Sequence, residues 1–444
     1  MPTLLWFRRD LRRHDHPALL EAAREDGEVL ACYVLDPRLE ASSGPRRLQY
    51  LYRALRELSD ELDGNLLVTR GRPEQRIPVL ARAIGAAAVH ISQDYSPFGR
   101  RRDDSVQAAL GEIDLHATGS GYLVSPGRIT KADGTPYQVF TPFFRAWRGH
   151  GWRAPADSGP GSARWIDPAA ISATDYERIE IPAATDDLIV EAGEDAARSQ
   201  WREFVARGLA GYPARRDRPD LDATSRMSAH LKFGTIHPRT MAVDLAAGDD
   251  AYLRELAFRD FYAAVLHHWP DSAWRNWNRD FDAIEVDDDE AAGQAFEAWK
   301  DGRTGFPIVD AGMRQLAATG LMHNRVRMIV ASFLVKDLHL PWQWGARWFL
   351  DQLIDGDLAN NQHGWQWAAG CGTDAAPYFR VFNPDLQGAK FDPDGTYIRR
   401  WVPELADVDD VHKLGIARPA AYPEPIVDHA EERLEALRRY RRLG

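Results

Sequence analysis

TLLWF (3–7), VLACYVLD (29–36), NLLVT (65–69), AAVHIS (87–92) and IDLHAT (113–118) are short apolar runs. Helical patterns such as RRLQYLYRALRELSDEL (46–62) and EQRIPVLARAIG (74–85) separate them. Apolar runs without strict alternation suit strands covered on both faces, and their regular exchange with helices predicts an α/β domain over residues 1–125 built on a doubly wound parallel sheet. No GxGxxG or GxxxxGK[ST] follows any of the strands, so the usual dinucleotide and P-loop signatures are missing.

Beyond the last strand, residues 126–195 are rich in Pro, Gly, Ser and Asp, as in SPGRITKADGTP and APADSGPGSARW, and predict an interdomain connector. From residue 196 the pattern is helical almost throughout, with AARSQWREFVARGL (196–209), AYLRELAFRDFYAAVLHHW (251–269), FPIVDAGMRQLAATG (306–320) and WGARWFLDQLIDGDLANN (344–361) as its longest pieces. An all-α domain over 196–444 follows. The acidic EVDDDE (285–290) reads as a solvated loop.

A chain of 444 residues allows two or three domains at roughly 150 residues each, and 44% hydrophobic with 27% charged residues places it among globular proteins. Fifty-five Lys+Arg against 66 Asp+Glu gives a net charge of −11, which does not advertise nucleic-acid binding but leaves room for a local basic patch. Cys32 and Cys371 cannot build a disulfide framework, and no CxxC or HExxH spacing points to a metal. The N-terminus carries arginines early, and no stretch approaches the roughly 18 apolar residues of a membrane span, so a cytoplasmic location is expected.

Two constellations carry chemistry. In YPARRDRPDLDATSRMSAHLKFG (212–234), Thr224, Ser225 and Ser228 sit where a loop enters a helix; hydroxyls and free N–H groups there hold a phosphate or simply cap the helix. MHNRVRMIVASFLVKDL (322–338) and LIDGDLANNQHGWQWAAGCGTDAAPYFRVFNP (353–384) place Asn324, Arg327, Asp355, Asp357 and Asn361 on helices expected to be buried. So many polar groups in an apolar core imply a buried polar ligand, an internal pairing such as Arg327 with Asp355, or both.

These motifs, with the start LLWFRRDLRRHDHPAL, resemble the photolyase/cryptochrome family, specifically the class I cyclobutane pyrimidine dimer photolyases, over nearly the whole chain. The resemblance implies an antenna domain followed by a helical domain that binds FAD. By motif position, Tyr212, Thr224, Ser225, Arg226, Met227 and Ser228 would hold the FAD phosphates and ribitol. Asp355, Gly356 and Asp357 would border the isoalloxazine, Arg327 would pair with Asp355, and Asn361 would face flavin N5. Glu255, Asn324, Met328 and Trp367 match the pocket for a flipped-out dimer, with Glu255 expected to be a buried neutral acid that donates to a thymine carbonyl. Arg216, Arg325, Arg380 and Lys390 would meet DNA phosphates.

The sequence departs from the family pattern in three places. ELAFRDFY puts Phe258 where a tryptophan stacking wall is usual. Trp365, nearest the flavin, and Trp342 match the photoreduction chain, but the distal tryptophan is absent from AIEVDDDEAAGQ, leaving Trp299 or Trp344 as candidate surface exits. SQDYSPFGRRRDD lacks the Asn-Glu pair of folate-binding members; PFGR is similar to deazaflavin-binding ones, so the expected antenna is 8-hydroxydeazaflavin, with methenyltetrahydrofolate or an empty site as alternatives.

The activity this implies is light-driven dimer repair in DNA by a monomer containing reduced FAD, with no membrane and no obligate protein partner. A cryptochrome-type photoreceptor is the alternative; the ending RRYRRLG leaves no room for a long signalling tail. A (6-4) photolyase would carry histidines at Asn324 and Met328, and a non-catalytic DNA-binding protein of the same fold is the weakest reading.

Overall fold

The computed structural model describes residues 1–24, 27–171, 177–184, 188–377 and 380–443. Positions 172–176 and 185–187 of the expected connector, and 378 and 379 of the GTDAAPYFRVFNP motif, lie outside the described residues. By packing, the chain divides into two compact units, Met1–Ala210 with Ser225–Pro270, and Gly211–Thr224 with Asp271–Gly444.

In the first unit β1 (Thr3–Phe7), β2 (Glu28–Leu35), β3 (Leu66–Arg70), β4 (Ala88–Gln93) and β5 (Asp114–Ser120) form a parallel sheet in the order β3-β2-β1-β4-β5. Each falls on an expected apolar run. β1 is central, with Trp6 paired to Cys32 on one side and Leu4 to Val89 on the other, and Leu4, Leu5, Trp6 and Phe7 are all buried, as a strand covered on both faces requires. The chain winds outward through β2 and β3, then returns to the far side of β1 for β4 and β5. Strand order therefore reverses between β1 and β4, the place where open α/β sheets leave a ligand crevice outside the carboxyl ends.

Helices Pro17–Ala22, Pro37–Ala41, Pro45–Glu61, Pro73–Ala83 and Pro97–Leu110 all carry proline in the first turn, where its fixed φ suits the helix and its missing N–H had no intrahelical partner to lose. In Pro45–Glu61 the buried Tyr50, Leu51, Ala54, Leu55 and Leu58 recur at helical spacing and form its buried stripe.

The connector is more ordered than its composition suggests. Phe140–His150 is a helix that buries Phe140, Phe143, Phe144 and Trp147 against the helix Asp250–His268, and β6 (Arg164–Trp165) pairs in parallel with the start of β2. Glycine- and proline-rich flanks hid an amphipathic pattern only 11 residues long. Beneath it, buried Asp260 accepts from Val124 N–H at 2.8 Å and from Trp147 Nε1–H at 2.9 Å, and burial pushes its carboxyl up to about 6. A boundary at residue 195 follows the change in element type, whereas packing groups the helices Glu194–Arg207, Ser228–Phe233, Pro238–Ala242 and Asp250–His268 with the sheet.

The second unit is helical, with a core that includes Trp299, Val309, Leu316, Val330, Phe333, Phe349, Trp365 and Ile398. The run WGARWFLDQLIDGDLANN, expected as one helix, is two: Trp342–Gln352 and Leu358–Ala369. Asp357 starts the second as its N-cap, accepting from Asn360 N–H at 3.1 Å, and the capping bond outcompetes continuation of the first. Among the described residues no helix is long and apolar enough to cross a membrane and no cluster of side chains could hold a metal ion.

Candidate functional site

The helix break puts Asp355 and Gly356 in a buried loop rather than on a helix. Arg327, on the helix Asn324–Lys336, donates through Nη2 to Asp355 Oδ2 at 2.9 Å and Oδ1 at 3.2 Å, and through Nε to Met322 O at 2.8 Å. The expected ion pair is thus formed, and it holds the loop. One turn into the next helix, Asn361 donates through Nδ2 to Ala346 O at 2.9 Å and to Gln362 Oε1 at 2.7 Å. With the amide nitrogen spent on protein carbonyls, Oδ1 is the end of Asn361 left to accept a proton from a ligand.

Trp365 lies on this second helix, 2% exposed, with its ring over Gly345; a Cβ at Gly345 would come within 2.1 Å of the indole. Trp342 is three residues earlier on Gly345's helix, and its Nε1–H donates to Asn276 Oδ1 at 2.8 Å. Trp299 packs edge-on to Trp365, ring centroids 6.0 Å apart, and donates through Nε1 to Val330 O. It is fully buried and supplies no surface exit; Trp344 is half-buried, 5.3 Å from Phe296.

Asn324, expected on a buried helix, is exposed because it is the first residue of that helix; Met328, one turn on, is half-buried and shares its face. Trp367 is half-buried on the helix Leu358–Ala369, which packs on Asn324–Lys336. The sequence did not single out Gln362 and Gln366, fully buried one turn apart. Their amides donate to Ala273 O and Ser272 O, both at 2.6 Å, and fix the roll of the helix that presents Trp365 and Trp367. Amides at that spacing inside an apolar helix were the available signal.

Of the expected basic rim, Arg380 and Lys390 are exposed. Arg325 is engaged: Nη2 donates to Asp217 Oδ1 at 2.9 Å, and the guanidinium lies 4.4 Å from the centre of the Phe391 ring, which Lys390 also faces at 5.0 Å. Arg216 lies 5.4 Å above the ring of buried Tyr212. Thr224 is half-buried in the same unit.

In the first unit, Ser225 Oγ bonds Tyr252 OH at 2.8 Å and accepts weakly from Met227 N–H at 3.4 Å. Arg226 adopts φ 53°, a left-handed backbone that costs a side-chain-bearing residue about 1–2 kcal/mol. The helix Ser228–Phe233 then begins at Met227 with no side-chain cap, so the capping role open to Ser225 and Ser228 is not taken. Strain plus uncapped N–H groups suits a loop that receives an anion. Glu255 and Phe258 share one face of Asp250–His268, both half-buried, so Glu255 is less enclosed than expected. One face of Phe258 is taken by Phe140, stacked at 3.5 Å.

The crevice at the β1/β4 reversal is lined by Arg8, Asp10, Asp94, Tyr95, Tyr122 and Arg259 and has a volume of about 30 Å³, room for a water and no ring. On its wall the Arg259 guanidinium lies 4.7 Å from the centre of the Tyr122 ring. In PFGR, Gly99 admits the Asp94 carboxylate, which would sit 2.1 Å from a Cβ there, and Arg102 reaches the same carboxylate at 3.3 Å. That motif therefore has an internal structural use.

Residues 3–160 match the family described as DNA photolyase, and residues 252–442 match the FAD binding domain of DNA photolyase. The deoxyribodipyrimidine photo-lyase of Thermus thermophilus is 41% identical, over 100% of this chain and 98% of its own. A class III photolyase from Agrobacterium tumefaciens, solved as a crystal structure, superposes with a TM-score of 0.89 at 36% identity, covering 100% and 97% of the two chains. An archaeal photolyase from Sulfolobus tokodaii, solved with two FAD molecules, reaches 0.86 at 32% identity over 100% of both. Sequence, fold and the paired FAD-domain residues agree, and the chain belongs to the DNA photolyase family.

Proposed function

We propose that the chain is a light-driven deoxyribodipyrimidine photo-lyase that binds FAD and splits cyclobutane pyrimidine dimers in DNA. The observation that carries this reading is Asn361, whose nitrogen is spent on Ala346 O and Gln362 Oε1 so that its oxygen is left as an acceptor. Within the second unit the donor set suits the ring system of FAD: the clamped Arg327–Asp355 pair stands next to Gly356 and Asp357 in the buried loop. Bound FAD, in its reduced form, supplies on illumination the electron that opens the cyclobutane ring and takes it back afterwards.

The chain's own residues do the rest. Tyr212, Thr224, Ser225, Met227 and Ser228 bind the cofactor, and Asn361 accepts from N5–H, which steadies the reduced state. Trp367 stacks on the flipped dimer, worth roughly 1–3 kcal/mol per base, against the few kcal/mol that unstacking costs. In its protonated form Glu255 would donate to the thymine carbonyl on which negative charge builds, and Asn324 and Met328 match the family's dimer pocket. Arg216, Arg380, Lys390 and, more weakly, the Asp217-bound Arg325 meet phosphates. The antenna reading remains 8-hydroxydeazaflavin, with methenyltetrahydrofolate or an empty site as alternatives, and a ring of that size requires Arg259 and Tyr122 to move. The enzyme acts as a cytoplasmic monomer.

The test is dimer content in DNA before and after blue or near-ultraviolet light, with FAD fully reduced. Loss of dimers only in the light supports the reading. No light-dependent loss would favour the cryptochrome-type photoreceptor.

A further inference from the structure

The second unit contains a cavity of about 380 Å³, within the range of small-molecule sites, to which the proposed function assigns nothing. Its walls include Trp342, Trp274, Phe281 and Tyr440, and its outer lip is formed by Ile284 and Val286, next to the acidic loop where no distal tryptophan was found. Trp342 is almost fully buried, whereas Trp274 is 41% exposed, so the cavity connects the buried indole with solvent. Asn276 braces it, accepting from Trp342 Nε1–H at 2.8 Å and donating to Asp282 at 2.9 Å.

Its charges are balanced. Arg279 pairs with Asp282 at 2.6 Å, Arg439 with Asp287 at 2.8 Å, and Arg275 faces Asp271 at 3.9 Å. An anion entering would compete with carboxylates already in place, whereas a neutral planar ring gains aromatic contact and loses no ion pair. His339, on the same wall, bonds Glu432 Oε2 at 2.7 Å. Burial lowers its affinity for a proton below the ordinary histidine value, and the Glu432 carboxylate acts against that by favouring the charged ring.

The geometry points to this cavity as a binding site for a neutral phenolic reductant of the hydroquinone class, which refills Trp342 in place of a distal tryptophan. The inference rests on the reading of Trp342 as a relay to Trp365. When Trp342 has passed one electron inward, the bound phenol gives one electron to the indole radical cation and one proton to the His339–Glu432 pair or to water. Trp342 is restored, and a neutral phenoxyl radical leaves.

The test uses the FAD-loaded protein and 1,4-naphthohydroquinone without oxygen. Calorimetry in the dark should show binding with Kd below about 1 mM, and the decay of the indole radical after a light flash should saturate at the same concentration. Ascorbate, an anion, should react without saturation. Ile284→Phe with Val286→Phe fills the lip without adding an oxidisable ring, and should weaken both binding and half-saturation by about tenfold or more while the ascorbate rate stays unchanged. Trp342→Phe should keep dark binding and lose the saturating decay. Radical formation without dark binding, or binding indifferent to the filled lip, overturns the cavity proposal. Binding with no indole radical in the parent overturns the relay reading and the donor role with it.

Discussion

The rings of Phe140 and Phe258 lie parallel, 6° apart in plane and 3.5 Å between centroids. Phe140 is itself buried, and the Arg254 guanidinium lies 5.1 Å from its ring centre. The residue that replaces the family's tryptophan is thus already stacked on a neighbour from the connector helix.

Phe258→Trp therefore gains no stacking wall on that side. The larger ring should cost about 1–3 kcal/mol of stability through overpacking and leave damaged-DNA affinity within about threefold of the parent. Denaturant titration and binding isotherms report the two quantities. A tenfold tightening would mean that Phe140 yields easily and that the wall lies open.

Trp365→Phe should abolish photoreduction of oxidised FAD while repair by chemically reduced protein stays largely intact, because the two electron routes differ. Absorbance of the flavin under continuous light follows the first, dimer counting the second. Unchanged photoreduction would move the nearest relay to Trp299, 6.0 Å away.

Arg380→Ala should flatten the slope of log K against log salt by roughly 0.9, one phosphate's share, on damaged and undamaged DNA alike. Arg325→Ala should change it less, since Asp217 already holds that guanidinium at 2.9 Å. Asp217→Asn should correspondingly tighten binding and steepen the slope. Equal slopes for the two arginine variants would argue against neutralisation by Asp217.

Trp367→Ala should cost on the order of 1–3 kcal/mol for dimer-containing DNA and nothing for undamaged DNA. A loss shared by both DNAs would make Trp367 a fold residue.

Asp260 holds its proton to about pH 6 in the folded protein, against an ordinary 3.8. The folded state then binds more protons than the unfolded state between those values, so this group's contribution to stability falls as pH rises from about 4 to about 6. Asp260→Asn removes that dependence and keeps an acceptor for Val124 and Trp147. The variant's stability relative to the parent should rise across that window by about 3 kcal/mol and level off above it. Parallel stability curves would show that the carboxyl is ionised throughout.

What the sequence determined by itself was whatever is written in local period and in long motifs. The strands around TLLWF are apolar on both faces and read as a parallel sheet; DGDLANNQHGWQW and GTDAAPYFRVFNP carried the family and, through it, the FAD domain. The Arg327–Asp355 pair was foreseeable because two opposite charges on apolar segments need each other. Tertiary structure decided everything set by long-range contact. It split WGARWFLDQLIDGDLANN at the Asp357 cap, folded part of the glycine- and proline-rich connector into a helix, and stacked Phe140 on Phe258 across more than a hundred residues of sequence. It also tied Arg325 to Asp217 and opened a cavity beside Trp342. Periodicity reports which face of an element is apolar; which partner covers that face, and which charge is already satisfied, depends on residues far apart in the chain.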